Sequence, residues 1–234
     1  MPFCILILVI LHHTFMQTSD YITKDIKALS TSDKVSKAKK LFNQLTYTHL
    51  PVVDNSVLLG SVAEADIQII EDEDKLIGDF SYEFHHFFAD EKTNWLELLK
   101  IFALNDATII PVLDKKQKYL GYYELTDILH IFNSTPFLNE SGAILVVSKA
   151  IKEYSFSEIA QIVESNEVKL LGAFISTLDN ENVEVTIKLS DQDLNNTIQT
   201  FRRYNYTILT SFHFDEYLNT LKERSEYLQK YLNI

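Results

Sequence analysis

Thr48-His-Leu-Pro-Val-Val-Asp54 recurs sixty residues later as Thr108-Ile-Ile-Pro-Val-Leu-Asp114. Each copy is followed by a leucine-glycine step and then, six residues past the glycine, by an aspartate. These residues are Leu59-Gly60 and Asp66 in the first copy, and Leu120-Gly121 and Asp127 in the second. Self-similarity at a fixed period indicates that one structural unit has been built twice. The prediction of the fold starts from this duplication.

An amphipathic helix is predicted upstream of each copy. Its apolar positions lie three to four residues apart, which is the stripe of a helix with one buried face. They are Val35, Ala38, Leu41 and Phe42 in the first copy, and Trp95, Leu98, Ile101 and Phe102 in the second. The predicted caps are Thr31 or Ser32 and Thr93 or Asn94, because such side chains accept hydrogen bonds from the first N–H groups of a helix.

The repeated segment itself predicts a β-hairpin. Each Pro-Val pair opens a β-branched strand, where proline is tolerated because its missing N–H falls at the start of the strand. The turns, the second strands and the helices that follow are also duplicated. They lie at 54–55, 57–62 and 67–70 in the first copy, and at 114–116, 119–123 and 128–132 in the second. One unit therefore reads helix, strand, strand, helix.

This pattern resembles the cystathionine-β-synthase (CBS) domain, which in that family occurs as tandem pairs. The residues that carry the resemblance are His49–Asp54, Leu59-Gly60 and Asp66, and Ile110–Asp114, Leu120-Gly121 and Asp127. The resemblance implies an α+β fold with two βαββα-type repeats, a CBS pair over residues 17–135. Repeat 1 is expected at about 17–72 and repeat 2 at about 80–135. The alternative is a chance repeat in an ordinary α/β domain.

The last third of the chain predicts a second fold, after a polar linker at 133–142. Strands are predicted at 143–148, 168–178, 183–189 and 206–214, and helices at 155–165, capped by Ser155 or Ser157, and 191–204. The order β-α-β-β-α-β is the split βαβ, ferredoxin-like arrangement. Placed after a CBS pair, the segment 142–214 resembles an ACT-like regulatory domain, similar to the layout of acetoin-utilisation-type CBS proteins.

The turn after the first strand of this domain departs from the ACT pattern. Ligand-binding ACT domains usually carry an Asp-x-Pro-Gly type turn there, whereas Ser148–Tyr154 contains neither proline nor glycine. A structural or dimerising role is therefore at least as consistent with the resemblance as an amino-acid site. Residues 215–234 predict a C-terminal helix whose apolar stripe packs on this chain or on a second subunit.

Composition narrows the classes of protein and partner. The chain has 234 residues, of which 46% are hydrophobic and 23% charged, as in a globular protein of two domains. A net charge of −12 argues against binding to nucleic acid or to anionic lipid surfaces. The single cysteine, Cys4, excludes an internal disulfide and fits a reducing compartment, so we expect a cytoplasmic protein.

The first fifteen residues are anomalous. Phe3–Leu11 is an apolar run that is too short to cross a bilayer, which takes about twenty residues. It also lacks the basic start and the cleavage site of a secretory signal. Met16 opens a segment that resembles the usual start of a CBS-pair protein. Residues 1–15 are interpreted as an extension from a start codon assigned too early. The alternatives are a structural segment and a signal or anchor, and only the last of these predicts membrane contact.

The resemblance implies a ligand site between the repeats. In CBS pairs this cleft often accepts an adenosine nucleotide, and the downstream aspartate accepts hydrogen bonds from the ribose hydroxyls. Asp66 and Asp127 occupy that position. Ligand-binding members carry Ser or Thr three residues earlier, where this chain has Ala63 and Glu124. Alanine supplies no donor and a carboxylate repels phosphate, so adenosine or AMP is expected rather than ATP.

Two further residues complete the candidate ligand set. His49 and Thr108 lie at the beginning of the repeated Pro-Val segments. The competing interpretation of Asp66 and Asp127 is structural, because an aspartate can cap the helix that follows it.

Catalysis and metal binding find little support in the sequence. His12-His13 and His85-His86 are adjacent pairs, which point to opposite sides of a strand and rarely chelate one metal. His49, His130 and His213 lie in apolar stretches and are interpreted as packed or surface residues. There is no Gly-rich phosphate loop and no Gly-x-Ser-x-Gly elbow. No catalytic residue, metal ligand or cofactor is therefore predicted, and the protein is not expected to be an enzyme.

Two function classes follow. The first is a regulatory sensor whose CBS pair binds an adenosine-type effector and transmits the signal through dimer or partner contacts. The second is a ligand-free scaffold for dimerisation or interaction, with degenerate CBS sites. A homodimer is expected in either case, because two-fold association is the commonest way to cover the apolar surface that a small sheet leaves open.

Overall fold

Both repeated segments form β-hairpins in the computed structural model, which describes residues 17–190 and 194–212. The first elements are α1 (Val35–Gln44), β1 (His49–Asp54), β2 (Val57–Ala63), α2 (Glu64–Gln68), β3 (Ala89–Asp90), α3 (Trp95–Leu104), β4 (Ile109–Leu113), β5 (Tyr119–Glu124) and α4 (Leu125–Asn133). Two 3₁₀ helices, Thr18–Tyr21 and Ile77–Glu83, precede α1 and β3. The predicted order of helix, strand, strand and helix is present in both copies.

The two hairpins share their register as well as their order. β1 pairs antiparallel with β2, and β4 with β5, and each pairing is irregular directly after Val52 or Val112. A short extended segment also joins each sheet in parallel. Ala89 pairs with Val112, and Leu29 makes the matching bridge to Val52. These pairs keep the sixty-residue offset, so the βαββα-type repeat occurs twice.

Each repeat also contributes backbone to the sheet of the other. Thr23, near the start of the first repeat, bridges Tyr122 on β5, and His85, near the start of the second, bridges Ser61 on β2. At the centre the N–H of Thr48 donates to Oγ1 of Thr108 at 3.0 Å, and the N–H of Thr108 donates to Oγ1 of Thr48 at the same distance. An approximate two-fold axis therefore passes between these threonines.

The prediction of a cap at Thr31 or Ser32 is wrong. α1 begins after Lys34, which has extended backbone and makes no side-chain cap. The hydroxyl of Thr31 donates instead to the carboxylate of Asp54 at the end of β1. Thr31, which sequence spacing assigned to the cap of α1, therefore bonds to the end of β1 instead.

Each repeat has its own apolar core. In repeat 1 the buried residues come from α1, the hairpin and the 3₁₀ helix that follows, and they are Leu29, Val35, Ala38, Phe42, Leu50, Val52, Val62, Ile67, Ile77 and Phe84. In repeat 2 they are Phe87, Ala89, Leu98, Phe102, Ala107, Ile110, Val112, Tyr123, Ile128 and Ile131. The apolar stripes of α1 and α3 thus supply the buried faces that their spacing predicts.

A second compact unit begins at Asn133. Its elements are α5 (Pro136–Asn139), β6 (Ala143–Ala150), α6 (Phe156–Ser165), β7 (Leu170–Leu178), β8 (Asn182–Leu189), α7 (Asn195–Arg203) and β9 (Thr207–Phe212). The strands form one sheet in the order β7-β8-β6-β9, and every neighbouring pair is antiparallel. This is the ferredoxin-like arrangement that the sequence predicts, so the α+β fold is confirmed.

The starts of α3 and α6 agree better with their sequence signals. Asn94 caps α3 by accepting a hydrogen bond from the N–H of Glu97 at 3.0 Å. Ser155 caps α6 by accepting from the N–H of Glu158 at 3.4 Å. Both caps were among the predicted residues.

The predicted polar linker contains a helical turn, α5, that the sequence pattern did not indicate. Phe137 on α5 lies directly over Gly172 in β7, where a Cβ atom would come within 2.5 Å of Cδ2 of the ring. The same ring lies 5.7 Å from the ring of Phe174, measured between centroids. The glycine therefore makes room for the aromatic ring that packs on the sheet.

Several predictions concern residues outside the described part of the chain. They are the extension 1–15, the start of the predicted helix at 191–193, the C-terminal helix 215–234, and Cys4, His12, His13 and His213. Among the residues that the structure describes, none of the helices has the length and apolar character that a bilayer crossing requires.

Candidate functional site

The two-fold relation between the repeats creates two equivalent positions, at the ends of β2 and β5. Ala63 ends β2 and Asp66 lies in the first turn of α2. Glu124 ends β5 and Asp127 lies in the first turn of α4. The surroundings of Ala63 and Asp66 are termed cleft 1, and those of Glu124 and Asp127 are termed cleft 2.

Neither aspartate caps the helix in which it lies. α2 begins at Glu64 and α4 begins at Leu125, two residues before each aspartate. The first N–H of each helix donates to a backbone carbonyl instead, Glu64 to Thr48 at 2.8 Å and Leu125 to Thr108 at 2.9 Å. The capping interpretation is therefore wrong, and the side chain of Asp66, 43% exposed, is accessible to solvent.

His85 enters cleft 1 from the segment ahead of the second repeat. Its N–H donates to the carbonyl of Ser61 at 2.8 Å, and its carbonyl accepts from the N–H of Ser61 at 2.9 Å. With the backbone fixed on β2, the imidazole Nε2 lies 3.3 Å from Oδ2 of Asp66. Its Nδ1 lies 3.3 Å from Nε2 of His49.

His49 is the buried member of this group. It is 5% exposed, and its ring meets the ring of Phe87 edge to face at 5.2 Å. Burial lowers the pKa of His49 from 6.5 to about 4, and the charge of His85 acts in the same direction. The carboxylate of Asp66 acts against this shift. His49 is therefore neutral at physiological pH, as its place in the core requires.

A pocket of about 200 Å³ opens beside Asp66. Its lining is mostly apolar and comprises Val62, Asp66, Ile67, Ile69, Ile70, Phe80, Tyr82 and Glu83. Small-molecule sites usually measure about 300–1,000 Å³. The pocket therefore suits a base or a nucleoside better than a nucleoside triphosphate, and its two carboxylates give it negative charge.

Cleft 2 is occupied by phenol groups. The hydroxyl of Tyr47 donates to Oε1 of Glu124 at 2.7 Å, and the hydroxyl of Tyr122 donates to the carboxylate of Asp25. The two rings meet edge to face, 5.9 Å between centroids. Burial and the bond to Glu124 raise the pKa of Tyr47 to about 12. Burial and the bond to Asp25 also raise the pKa of Tyr122. Both phenols therefore stay protonated and act as donors.

The sixty-residue offset explains why the clefts differ. Tyr47 corresponds to Ala107, so cleft 2 has a phenol where the symmetry-related position in cleft 1 has a methyl group. His49 corresponds to Ile109, so the imidazole has no counterpart on the other side. Cleft 1 therefore contains two imidazoles, and cleft 2 contains a phenol that is bonded to Glu124.

The six candidate residues from the sequence are thus divided among three places. Ala63, Asp66 and His49 lie in or beside cleft 1, where His85 connects the last two. Glu124 and Asp127 lie in cleft 2. Thr108 lies on the two-fold axis, bonded to Thr48. Over residues 17–190 and 194–212, no three His, Cys, Asp or Glu side chains are grouped to hold a metal ion.

His85 and Tyr47 were not recognised from the sequence. Both lie outside the Pro-Val motif, and neither has an identical residue at the repeat offset. The available signal for His85 was its position near the start of the second repeat, just as Thr23 lies near the start of the first. The segments that contain Thr23 and His85 pair with the sheet of the other repeat. The side chain of His85 therefore lies in the cleft of the first repeat, although His85 belongs to the second.

Comparison with known proteins gives a family for the first repeat. Residues 19–73 match the CBS domain. The chain is 24% identical over 182 residues to an inosine-5'-monophosphate dehydrogenase of Methanocaldococcus jannaschii, a match that covers 77% of this chain and 36% of the relative. It is also 24% identical over 123 residues to an uncharacterized protein of that organism, covering 52% and 46%. The chain thus spans between a third and a half of these curated relatives.

Solved structures with similarity to this chain include three with CBS domains or bound nucleotides. A CBS domain pair/ACT domain protein from Thermotoga maritima has a TM-score of 0.45 and 22% identity, covering 50% of this chain and 96% of that one. CBSX2 in complex with AMP has a TM-score of 0.42 and 20% identity, covering 50% and 95%. The cytosolic domain of the Mg²⁺ channel MgtE in complex with ATP has a TM-score of 0.42 and 18% identity, covering 49% and 48%.

The family match ends at residue 73, but the second repeat has the same architecture as the first. The second repeat reproduces the strand order of the first, its parallel edge segment and its register irregularity. It also completes the first repeat, because the two exchange backbone bridges. Residues 19–73 thus match the CBS domain, and the second repeat has the same architecture as the first.

Proposed function

We propose that this protein is a non-catalytic regulatory sensor whose CBS pair binds an adenosine-type ligand in cleft 1. The observation that carries the proposal is the apolar pocket of about 200 Å³ beside the accessible carboxylate of Asp66. A base fits the apolar lining, and a carboxylate with several lone pairs accepts both hydroxyls of a ribose. The CBS family match of the first repeat supports this class of ligand.

The contact between Asp66 and His85 does not close the site. At 3.3 Å it is longer than a well-formed charge-assisted hydrogen bond, which measures about 2.7–2.9 Å. Ribose hydroxyls that bond to Asp66 therefore replace a weak contact. His85 is itself exposed, so its imidazole can regain hydrogen bonds with water.

The charges around cleft 1 favour ligands with few phosphates. Asp66 and Glu83 both line the pocket, and Ala63 has no hydroxyl with which to approach a phosphate. Two like unit charges about 4 Å apart repel by about 4 kcal/mol at an effective dielectric constant of 20. Adenosine or AMP is therefore favoured over ATP.

Thermal unfolding of the full chain with adenosine, AMP or ATP tests this function. A ligand at one hundred times its Kd stabilises the native state by about 2.7 kcal/mol, which raises the Tm by several degrees. We expect this rise with adenosine or AMP and a smaller one with ATP. Asp66→Ala should abolish it, whereas the matched variant Asp127→Ala should retain it.

Other outcomes of this experiment have clear meanings. Loss of the effect in Asp127→Ala alone would place the ligand in cleft 2 and contradict the proposal. A larger effect from ATP than from adenosine would contradict the charge argument. No rise with any of the three would support the scaffold alternative.

The second candidate function is a ligand-free scaffold. It is favoured by Ala63 and Glu124, which replace hydroxyl side chains, and by the phenol of Tyr47 in cleft 2. Two leucines on α3 add support, because Leu96 is 61% exposed and Leu104 is 73% exposed. Exposed leucines on one helix suit contact with a second subunit. A homodimer is proposed under both functions, and a monomer in light scattering at high micromolar concentration would contradict it.

The ferredoxin-like unit is proposed to have a structural or dimerising role. After β6, the position where ACT-like domains carry their ligand turn is close to an internal ion pair. Nζ of Lys149 donates to Oε2 of Glu158 at 2.6 Å and lies 4.4 Å from the centroid of the Tyr206 ring. The cation is therefore already paired within the unit, which disfavours an amino-acid carboxylate as a ligand here.

A further inference from the structure

A continuous hydrogen-bonded chain links cleft 1 to the two-fold axis between the repeats. Oδ2 of Asp66 lies 3.3 Å from Nε2 of His85, and Nδ1 of His85 lies 3.3 Å from Nε2 of His49. Nδ1 of His49 lies 2.9 Å from Oγ1 of Thr48. That oxygen accepts from the N–H of Thr108 at 3.0 Å. An exposed carboxylate is thus connected, through a buried imidazole, to the contact between the repeats.

The chemistry of the groups determines the direction of every bond when both imidazoles are neutral. The carboxylate of Asp66 only accepts, so His85 carries its hydrogen on Nε2 and leaves Nδ1 as an acceptor. His49 then donates from Nε2 and accepts at Nδ1. The donor to that nitrogen is the hydroxyl of Thr48. Each imidazole nitrogen in the chain then has a single role, and the hydroxyl of Thr48 both donates to His49 and accepts from the N–H of Thr108.

A proton gained by His85 creates a conflict in this arrangement. Nδ1 of His85 becomes a donor and faces the Nε2–H of His49, which is also a donor. His49 does not relieve the conflict by becoming a cation, because burial lowers its pKa to about 4. The neutral imidazole has one other form, in which Nε2 accepts and Nδ1 carries the hydrogen.

This second form reverses the rest of the chain. Nδ1–H of His49 then donates to Oγ1 of Thr48, so the threonine hydroxyl must turn to another acceptor. Oγ1 of Thr108 lies 3.4 Å away and is that acceptor. The reversed chain needs only hydrogen positions to change, since the heavy-atom distances serve both directions.

We propose that the chain Asp66–His85–His49–Thr48 is a two-state proton switch, in which protonation of His85 reverses the tautomer of His49 and adds a hydrogen bond between Thr48 and Thr108. The signal is a proton, so the proposal does not depend on the ligand proposed for cleft 1. It connects an exposed titrating group to the axis that holds the two repeats together.

The charged and titratable groups around the switch have opposing effects on the charge of His49. Oδ2 of Asp66 on α2 lies 3.3 Å from Nε2 of His85. Asp66 and Asp106 both favour positive charge on His49, whereas burial and His85 oppose it. Glu83 lines the pocket beside Asp66, and His86 is the next residue in the chain. The carboxylate of Asp66 therefore lies next to His85 at the exposed end of the chain, and burial disfavours positive charge on His49 at the other end.

The test is the tautomer of His49, followed by long-range ¹H–¹⁵N spectra of the ¹⁵N-histidine-labelled full chain between pH 8 and pH 5. His49→Gln and His85→Gln identify the two sets of signals. We expect both residues to be neutral with hydrogen on Nε2 at pH 8. As His85 becomes a cation, His49 should stay neutral and carry its hydrogen on Nδ1. The proposal fails if His49 keeps its hydrogen on Nε2 or becomes a cation together with His85.

A matched pair of variants tests the far end of the switch. The reversed chain uses one more hydrogen bond at the hydroxyl of Thr48 than the neutral chain does. Thr48→Val should therefore lower the titration midpoint of His85 by about 0.5–1 pH unit, and Thr48→Ser should leave it unchanged. Equal midpoints in the two variants would overturn the link to the axis. If Thr48→Val does not fold, the tautomer measurement on the unmodified chain still decides.

Discussion

His49 shows how a single polar residue in a core makes stability depend on pH. Its imidazole is almost fully buried but keeps a partner on each nitrogen, so its neutral form is satisfied. Its pKa is lowered from 6.5 to about 4 in the folded protein. In the unfolded chain the ring binds a proton as the pH falls below its ordinary pKa of 6.5. Stability from this residue is therefore complete above pH 6.5 and is lost as the pH falls toward 4.

We expect the free energy of unfolding to fall by about 1.4 kcal/mol per pH unit from His49 alone, between about pH 6.5 and pH 4. Urea denaturation at pH 7 and pH 5 measures the difference. His49→Gln should be less stable than the unmodified protein at pH 7 and should depend less on pH. His130→Gln, at an exposed position on α4, is the control and should behave as the unmodified chain. Identical pH dependence in His49→Gln and the unmodified protein would contradict the assignment.

The candidate site could be predicted from the sequence only as far as the repeat extends. Asp66 and Asp127 were found because the motif recurs in register, and the structure places both in equivalent first turns. Tyr47 and His85 distinguish the two clefts, and they were missed. The backbone of His85 pairs with the sheet of the other repeat, and the side chain of Tyr47 reaches the other repeat, and spacing along the chain carries neither kind of information.

Secondary-structure elements were predictable where a pattern of side chains repeats. The alternation of apolar residues in β8 and the stripe in α6 placed both elements within a residue of their observed bounds. α5 is only four residues long and has no periodicity, so nothing in the sequence indicated it. The sequence showed Gly172 within a predicted strand, but it did not predict that the ring of Phe137 packs on this glycine.

The packing of α5 on β7 can be tested by mutation. Gly172→Val places side-chain atoms where the Phe137 ring lies, and such overpacking costs about 1–3 kcal/mol. Phe137→Ala removes the ring and should relieve part of that cost. We therefore expect the double variant to be more stable than the sum of the two single changes predicts, as measured by urea denaturation. Strictly additive effects would show that the two residues do not share this contact.

At the scale of the whole molecule, the two repeats depend on each other for their sheets. Thr23 of the first repeat bridges Tyr122 of the second, and His85 of the second bridges Ser61 of the first. Thr48 and Thr108 also bond to each other across the two repeats. A single repeat lacks these backbone partners and has too little core to compensate. Stability is therefore a property of the pair.

We expect peptides that cover residues 17–72 or 80–135 alone to be unfolded, because each would leave sheet edges without partners. A chain covering both, residues 17–135, should show dispersed amide resonances and a cooperative unfolding transition. Circular dichroism and proton NMR at low micromolar concentration make the comparison. A folded, monomeric single repeat would contradict it. Mixing the two peptides should restore structure in proportion to their concentration.

The exchange of backbone between the repeats also has an evolutionary consequence. A gene that encoded one such repeat could complete its sheets only by pairing two identical chains, so both clefts of that ancestor had to carry the same residues. Duplication and fusion placed the two copies in one polypeptide and removed that constraint. Each cleft then mutated independently, which accounts for the imidazoles of His49 and His85 in cleft 1 and for the phenol of Tyr47 and the carboxylate of Glu124 in cleft 2.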